Sequence, residues 1–121
     1  MLGHKVMGAG ISGLAVLALT QDTASALSAA GTTQGTATEL TATDNEVTTV
    51  GANAGVALAS KLAPGDEQTV YNAGANPLKI YPPSGMTIRP LAANAAMTLA
   101  VNSACLFKCV STTTIYGILS A

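Results

Sequence analysis

From Ala24 to the end of the chain, apolar and polar residues alternate in short runs, and Gly, Asn, Pro or Asp interrupt them roughly every ten residues. Alternation with a period of two puts successive side chains on opposite sides of an extended backbone, so each run predicts a strand with one buried and one wet side. The predicted strands are Thr36 to Thr41, Glu46 to Val50, Val56 to Ala59, Gln68 to Asn72, Leu78 to Tyr81, Met86 to Arg89, Ala96 to Ala100, Cys105 to Val110 and Thr114 to Leu119. Nine short strands predict an all-β fold, an antiparallel β-sandwich or jelly roll.

Within "LKIY", Leu78 and Ile80 share one side, and within "CLFKCV" Cys105, Phe107 and Cys109 oppose Leu106, Lys108 and Val110. Leu78, Ile80 and Phe107 are therefore the expected core. "APGD" at Ala63 to Asp66 and "AGANP" at Ala73 to Pro77 have turn chemistry: Pro presets φ, and Gly is free to take positive φ. "YPPSG" predicts an exposed corner, because Pro82 and Pro83 have no N–H for a ladder; Tyr81, Pro82 and Pro83 form a candidate contact patch there. "GANAG" from Gly51, "NAGAN" from Asn72 and "AANAA" from Ala92 resemble one another, but their unequal spacing excludes a solenoid of fixed period. Asn53, Asn76 and Asn94 in these words tolerate left-handed backbone.

The opening segment differs. "VMGAGISGLAVLAL", Val6 to Leu19, is apolar and carries Gly8, Gly10 and Gly13 in the spacing G-x-G-x-x-G. "GAGISGL" by itself resembles the flavin-binding turn of amine-oxidase-like enzymes. A dinucleotide site also needs a second strand and an acidic residue about 20 positions on, within βαβ units, and the Thr/Ser/Ala/Gly stretch after Gly13 supplies none of these. Lys5, the apolar run, and Ala24 and Ala26 in an A-x-A arrangement fit a secretory signal, although three glycines dilute the run. Fourteen residues fall short of the ~20 that a membrane span needs. The favoured reading is an N-terminal arm over residues 1–30, extended or partly helical from about Ser12, ahead of a β domain over residues 31–121. Val6, Met7, Ile11, Leu14, Val16, Leu17 and Leu19 are its candidate subunit-interface residues.

Composition strengthens the expectation of a partner. The chain has 121 residues, 49% of them hydrophobic and only 9% charged, against about 25% charged in ordinary soluble domains. Ala is the largest part of its apolar share, with one Phe and no Trp, so the core is thin and subunit contacts are expected to add stability. A net charge of −1 with five scattered basic residues gives no footprint for nucleic acid. Cys105 and Cys109, four apart on a strand, lie too far apart to pair, and with His4 alone they fall short of a structural zinc site. Catalytic machinery is missing as well. The single histidine has no evident Ser or Asp partner, and the carboxylate pairs Asp44/Glu46 and Asp66/Glu67 lack a calcium loop. The expectation is a non-enzyme without cofactor or metal.

Three stretches, "SALSAAGTTQGTATELTATDNEVTTV", "LAPGDEQTVYNAGANPLKIYPPSGMTIRPLAANAAMTLA" and "SACLFKCVSTTTIYGILSA", together resemble a group of small virion proteins of tailed bacteriophages. The resemblance covers about Ala24 to Ala121, and "YNAGANPLKIYPPSG…LAANAAMTLA" is its most specific part. It implies a β-structured capsid decoration or cement protein on the virion surface, commonly a homotrimer, that bridges neighbouring major capsid protein subunits. It supplies no catalytic residues. A different expectation is a fibre or spike adhesion module, in which Tyr71, Tyr81 and Tyr116 gather on one exposed face to stack on host carbohydrate.

Overall fold

A computed structural model describes residues 22–120, and every regular element among them is a β-strand. In chain order they are β1 (Thr23–Ser28), β2 (Thr38–Glu39), β3 (Asp44–Thr49), β4 (Gly55–Ala57), β5 (Glu67–Asn72), β6 (Leu78–Tyr81), β7 (Thr87–Arg89), β8 (Met97–Leu99), β9 (Ala104–Cys109) and β10 (Thr114–Leu119). Each of the nine expected runs overlaps a strand, with boundaries that differ by one to three residues in most of them. The tenth, β1, falls inside residues assigned to the arm and begins eight residues before residue 31.

The strands form a six-stranded sheet in the order β1-β3-β5-β9-β10-β7 and a four-stranded sheet in the order β2-β4-β6-β8. From β1 to β9 the chain alternates strictly between the sheets, and only β9 and β10 are consecutive strands of one sheet. β1, β3 and β5 therefore stack in parallel, as do β2, β4 and β6. This is the winding of a β-solenoid, and both sheets are mixed; the antiparallel sandwich or jelly roll is corrected on that point. A turn residue shows where the chain bends but not which sheet receives it.

The coils are unequal. Asp44 lies beside Thr23 and Thr69 beside Asp44, giving steps of 21 and 25 residues. In the smaller sheet Val56 lies beside Thr38 and Ile80 beside Val56, giving steps of 18 and 24. A missing fixed period thus does not exclude a solenoid whose corners vary in length. The related words "GANAG" and "NAGAN" are equivalent corners of successive coils, each leading from the larger to the smaller sheet.

Both sheets face one core, which includes Val47, Val70, Phe107 and Ile115 from the larger and Val56, Leu78, Ile80 and Leu99 from the smaller. The expected core residues Leu78, Ile80 and Phe107 are fully buried. Along β9 burial alternates residue by residue, so Cys105, Phe107 and Cys109 point inward, and both cysteines are free. Each large apolar side chain sealed here contributes about 1.5–3 kcal/mol.

β1 joins this core through a bulge. Ala24 pairs with Asn45 and Leu27 with Val47, so three steps on β1 span two on β3. Ala26, in the extra position, adopts φ 56°, and the added residue turns Leu27 inward against the core. Without it, Leu27 would fall on the opposite side of the strand.

Buried amides hold the corners together. Gln68 Nε2 donates to the carbonyls of Leu40 and Ala42 at 2.9 Å each, and its Oε1 accepts from the Ala59 amide at 2.9 Å. One side chain at the start of β5 thereby ties together two other corners. At the far end of β5, Asn72 Nδ2 donates to the Asn76 and Leu99 carbonyls while its Oδ1 accepts from the Gly74 amide, all at 3.0 Å. Asn76 Nδ2 reaches back to the Val50 carbonyl at 2.8 Å in the corner of the preceding coil.

Candidate docking surface

"YPPSG" ends β6 as its missing donors require, but only Ser84 and Gly85 of the corner are exposed. Pro82 and Pro83 are buried and Tyr81 is half-buried. The Pro82 carbonyl accepts from Gln34 Nε2 at 2.8 Å, the Pro83 carbonyl from the Met86 amide at 2.9 Å, and Tyr81 Oη donates to the Thr32 carbonyl at 2.9 Å. The candidate contact patch of Tyr81, Pro82 and Pro83 is corrected accordingly. Lacking an N–H prevents proline from continuing a ladder, yet its apolar ring packs well beneath a loop. The arm candidates Val6, Met7, Ile11, Leu14, Val16, Leu17 and Leu19, together with His4 and the glycine motif, lie outside the described residues.

The other candidate groups have structural partners. Asp66 Oδ2 accepts from the Ala63 amide at 2.9 Å and closes its own turn. Glu67 pairs with Lys108 at 3.1 Å, an exposed bridge worth about 0–1 kcal/mol. These residues, with Thr41, Thr43, Lys61 and Gln68, line a shallow polar groove of about 460 Å³. Glu39 accepts from the Ser60 amide and hydroxyl, and these bonds, the amide foremost, hold its carboxyl below the usual range. Burial pushes the Cys105 thiol up to about 11 and raises that of Cys109, so both remain protonated at neutral pH. Among the described residues, no three His, Cys, Asp or Glu side chains gather as a metal site. Asn45 Nδ2 donates to the Ala42 and Thr69 carbonyls, while its buried Oδ1 has no partner among the described residues.

The outward side of the six-stranded sheet is the prominent surface. Phe107 and Ile115 point inward, which turns Leu106, Tyr116 and Ile118 outward. Register places Ile118 beside Leu106, Leu106 beside Thr69, and Tyr71 beside Ala104. Tyr71, Tyr116 and Ile118 remain 43%, 48% and 59% exposed, large values for apolar bodies in the middle of a sheet. Tyr71 stands between two shallow grooves, one of about 390 Å³ with Thr23, Ser25 and Glu46, the other of about 360 Å³ with Asn102, Ser103 and Ser120. Glu46, Lys108 and Arg89 give the patch a mixed-charge surround.

Sequence reasoning placed Leu106 opposite Phe107 but did not connect it with Ile118 or Tyr116. The available signal was the run "TIYGIL", which has apolar residues on both sides of the strand. Of the three tyrosines proposed as a sugar platform, Tyr71 and Tyr116 share this surface, whereas Tyr81 belongs to the other sheet. The single three-ring platform does not form.

Among the described residues, fold and surface define an all-β, solenoid-wound module with an exposed apolar cluster on the outer side of one sheet. Compared with protein-family models, curated proteins and solved structures, the chain matches none of them.

Proposed function

We propose that the protein is a non-enzymatic structural component of a tailed-phage particle: a capsid decoration or cement protein that acts as a homotrimer and bridges neighbouring major capsid subunits on the virion surface. The observation that carries the reading is the apolar outer side of the six-stranded sheet, centred on Leu106, Tyr116 and Ile118. An uncovered patch of this kind on a charge-poor domain is the usual mark of a protein contact. The buried amides support the same reading, because Gln68 and Asn72 are committed to bracing corners. A braced solenoid is a stiff spacer suited to holding two subunits at a fixed separation.

Stabilisation follows from mass action: a protein that binds only the assembled shell favours it by RT ln(1 + [L]/Kd). Three linked attachments raise the effective concentration of each one. The leading apolar residues Val6 to Leu19 are assigned the role of a second attachment element on the strength of their sequence.

Cosedimentation with phage capsids stripped of this protein tests the reading. Wild type should pellet saturably, and a Tyr116→Ser, Ile118→Lys variant with an unchanged melting temperature should bind at least tenfold more weakly. Equal binding by the variant, or none by wild type, would overturn it. Tyr71 and Tyr116 on one surface favour the adhesion module as the alternative, and saturable binding on a glycan array that is lost in Tyr116→Ser would replace cement with adhesion.

A further inference from the structure

We propose that the outer side of the six-stranded sheet is an isologous interface, on which a second copy of this chain docks about a two-fold axis over Leu106. The inference goes beyond the cement reading, since it concerns the protein away from any shell. The pair hides the surface that the cement reading gives to the shell, so shell and second copy compete for it.

Charge placement carries it. Glu46 stands between the buried Asn45 and Val47 on β3, and Arg89 follows the buried Ile88 on β7, so both point outward, and both are exposed. Among the described residues the one ion pair is Lys108 with Glu67, which leaves Glu46 and Arg89 without a partner of opposite sign. Register fixes where they lie. Glu46 is beside Tyr71 and Tyr71 beside Ala104, two residues before Leu106 on β9. Arg89 is beside Tyr116 and Tyr116 beside Lys108, two residues after Leu106. Each charge is therefore two strand steps across and two residues along from Leu106, in opposite directions, about 12 Å away at ~4.8 Å per strand and ~3.4 Å per residue.

A surface with opposite charges at equal distances from its centre is complementary to itself. A two-fold axis that lies between the two sheets, and crosses the Glu46–Arg89 line at right angles over Leu106, brings each Glu46 to the other copy's Arg89, twice per pair. Leu106 then meets its own counterpart at the centre, and Tyr71 comes over the other copy's Tyr116 and Ile118. The apolar side chains that are exposed in one copy are thereby covered in two. Laying β3 over β3 and β7 over β7 instead puts acid near acid and base near base, so charge selects one pairing.

The receiving surface has the matching shape. Glu46 and Tyr71, with Thr23 and Ser25, line the shallow groove of about 390 Å³. A guanidinium entering it has a carboxylate to bond at its edge and a phenol ring to stack on with its face. Arg89 of the second copy is the cation that the two-fold axis delivers there. One side of a small sheet buries an area at the low end for specific contacts, below about 1,200 Å² in total, so the pair forms at micromolar rather than nanomolar concentration.

Sedimentation velocity of the full chain between about 1 and 300 µM, the range that such an area implies, tests the inference. Wild type should pass from monomer to dimer as concentration rises. Arg89→Glu and, separately, Glu46→Arg should each weaken the dimer at least tenfold, because each sets like charges together twice. An equimolar mixture of the two variants should recover the wild-type dimer, since the acids of one copy then meet the bases of the other. Both side chains are exposed, so an unchanged melting temperature shows that each variant is folded. A monomer at every concentration overturns the proposal and leaves the surface to another occupant. A trimer, a dimer indifferent to both charge reversals, or a mixture that recovers nothing overturns it equally. No capsid enters the measurement, so failure here is distinct from failure of the cement reading.

Discussion

At the scale of single residues, stability depends on a few polar side chains that water cannot reach. Gln68 satisfies three backbone groups from two corners, and replacing it with an apolar side chain strands all three. Unmade bonds to buried groups cost about 1–3 kcal/mol each, lessened where the corner relaxes toward solvent. Gln68→Leu should therefore lose about 3 kcal/mol in chemical denaturation; a loss below that of an exposed control such as Thr48→Ala would show that the corners do not depend on it. Cys105 makes a pH prediction. Its thiol stays protonated up to about 11 in the fold, against an ordinary value of 9.0, because burial penalises the thiolate. A raised folded value means that this contribution is fully present below pH 9 and is lost as pH rises through 11, since the unfolded chain releases its proton first. Native protein at pH 8 should react with a thiol reagent only at the rate of unfolding, and Cys105→Ala should flatten the alkaline fall in stability.

Elements show where the sequence was legible and where it was not. Strands with bulky inward residues, such as β6 with Leu78 and Ile80 or β9 with Phe107, could be read from alternation because one side is plainly apolar. "TASALS" alternates as well, but its half-buried positions are Ala24 and Leu27, three apart because the bulge at Ala26 breaks the period, so β1 was hidden within the arm. Left-handed backbone was half legible: Asn53 and Asn94 adopt positive φ as expected, Asn76 does not, and Asn102 and Ala26 do. An L-alanine in this region costs about 1–2 kcal/mol, while glycine there loses about 0.5–1 kcal/mol through added freedom in the unfolded chain. Ala26→Gly should accordingly raise stability by about 0.5 kcal/mol, read as a small upward shift of the denaturation midpoint, and a clear decrease would mean that the Ala26 methyl group is needed for packing. Gly74 tests the stacking of corners from the other direction. A Cβ there would sit 2.5 Å from Val50 Cγ2 and 2.8 Å from Val50 Cβ, so Gly74→Ala should cost about 1–3 kcal/mol as overpacking. The double variant with Val50→Ala should recover part of that loss.

At the scale of the whole molecule, the order of strands in space decides where the domain opens first. Sequence periodicity could not supply that order, because parallel stacking of β1, β3 and β5 depends on contacts between residues 21 and 25 positions apart across corners of unequal length. After β6 the winding reverses in part, and β8 and β9 return antiparallel to β6 and β5, flanking the last parallel coil on its far side. β5 and β6 consequently have paired neighbours on both sides, whereas β1 and β2 are the outermost strands of their sheets. An outermost strand loses one ladder on opening and a central strand loses two, so local opening of the first coil is the cheaper event. Amide hydrogen exchange should show β5 and β6 exchanging only through global unfolding, with β1 and β2 at least tenfold faster. The Gln68→Leu variant should narrow that gap, because Gln68 holds the Leu40 and Ala42 carbonyls just after β2 and so fastens the first coil to β5. Equal protection of β1 and β5 in the wild-type protein would mean that the first coil has no independent freedom, and that the cooperative unit is the whole wound domain.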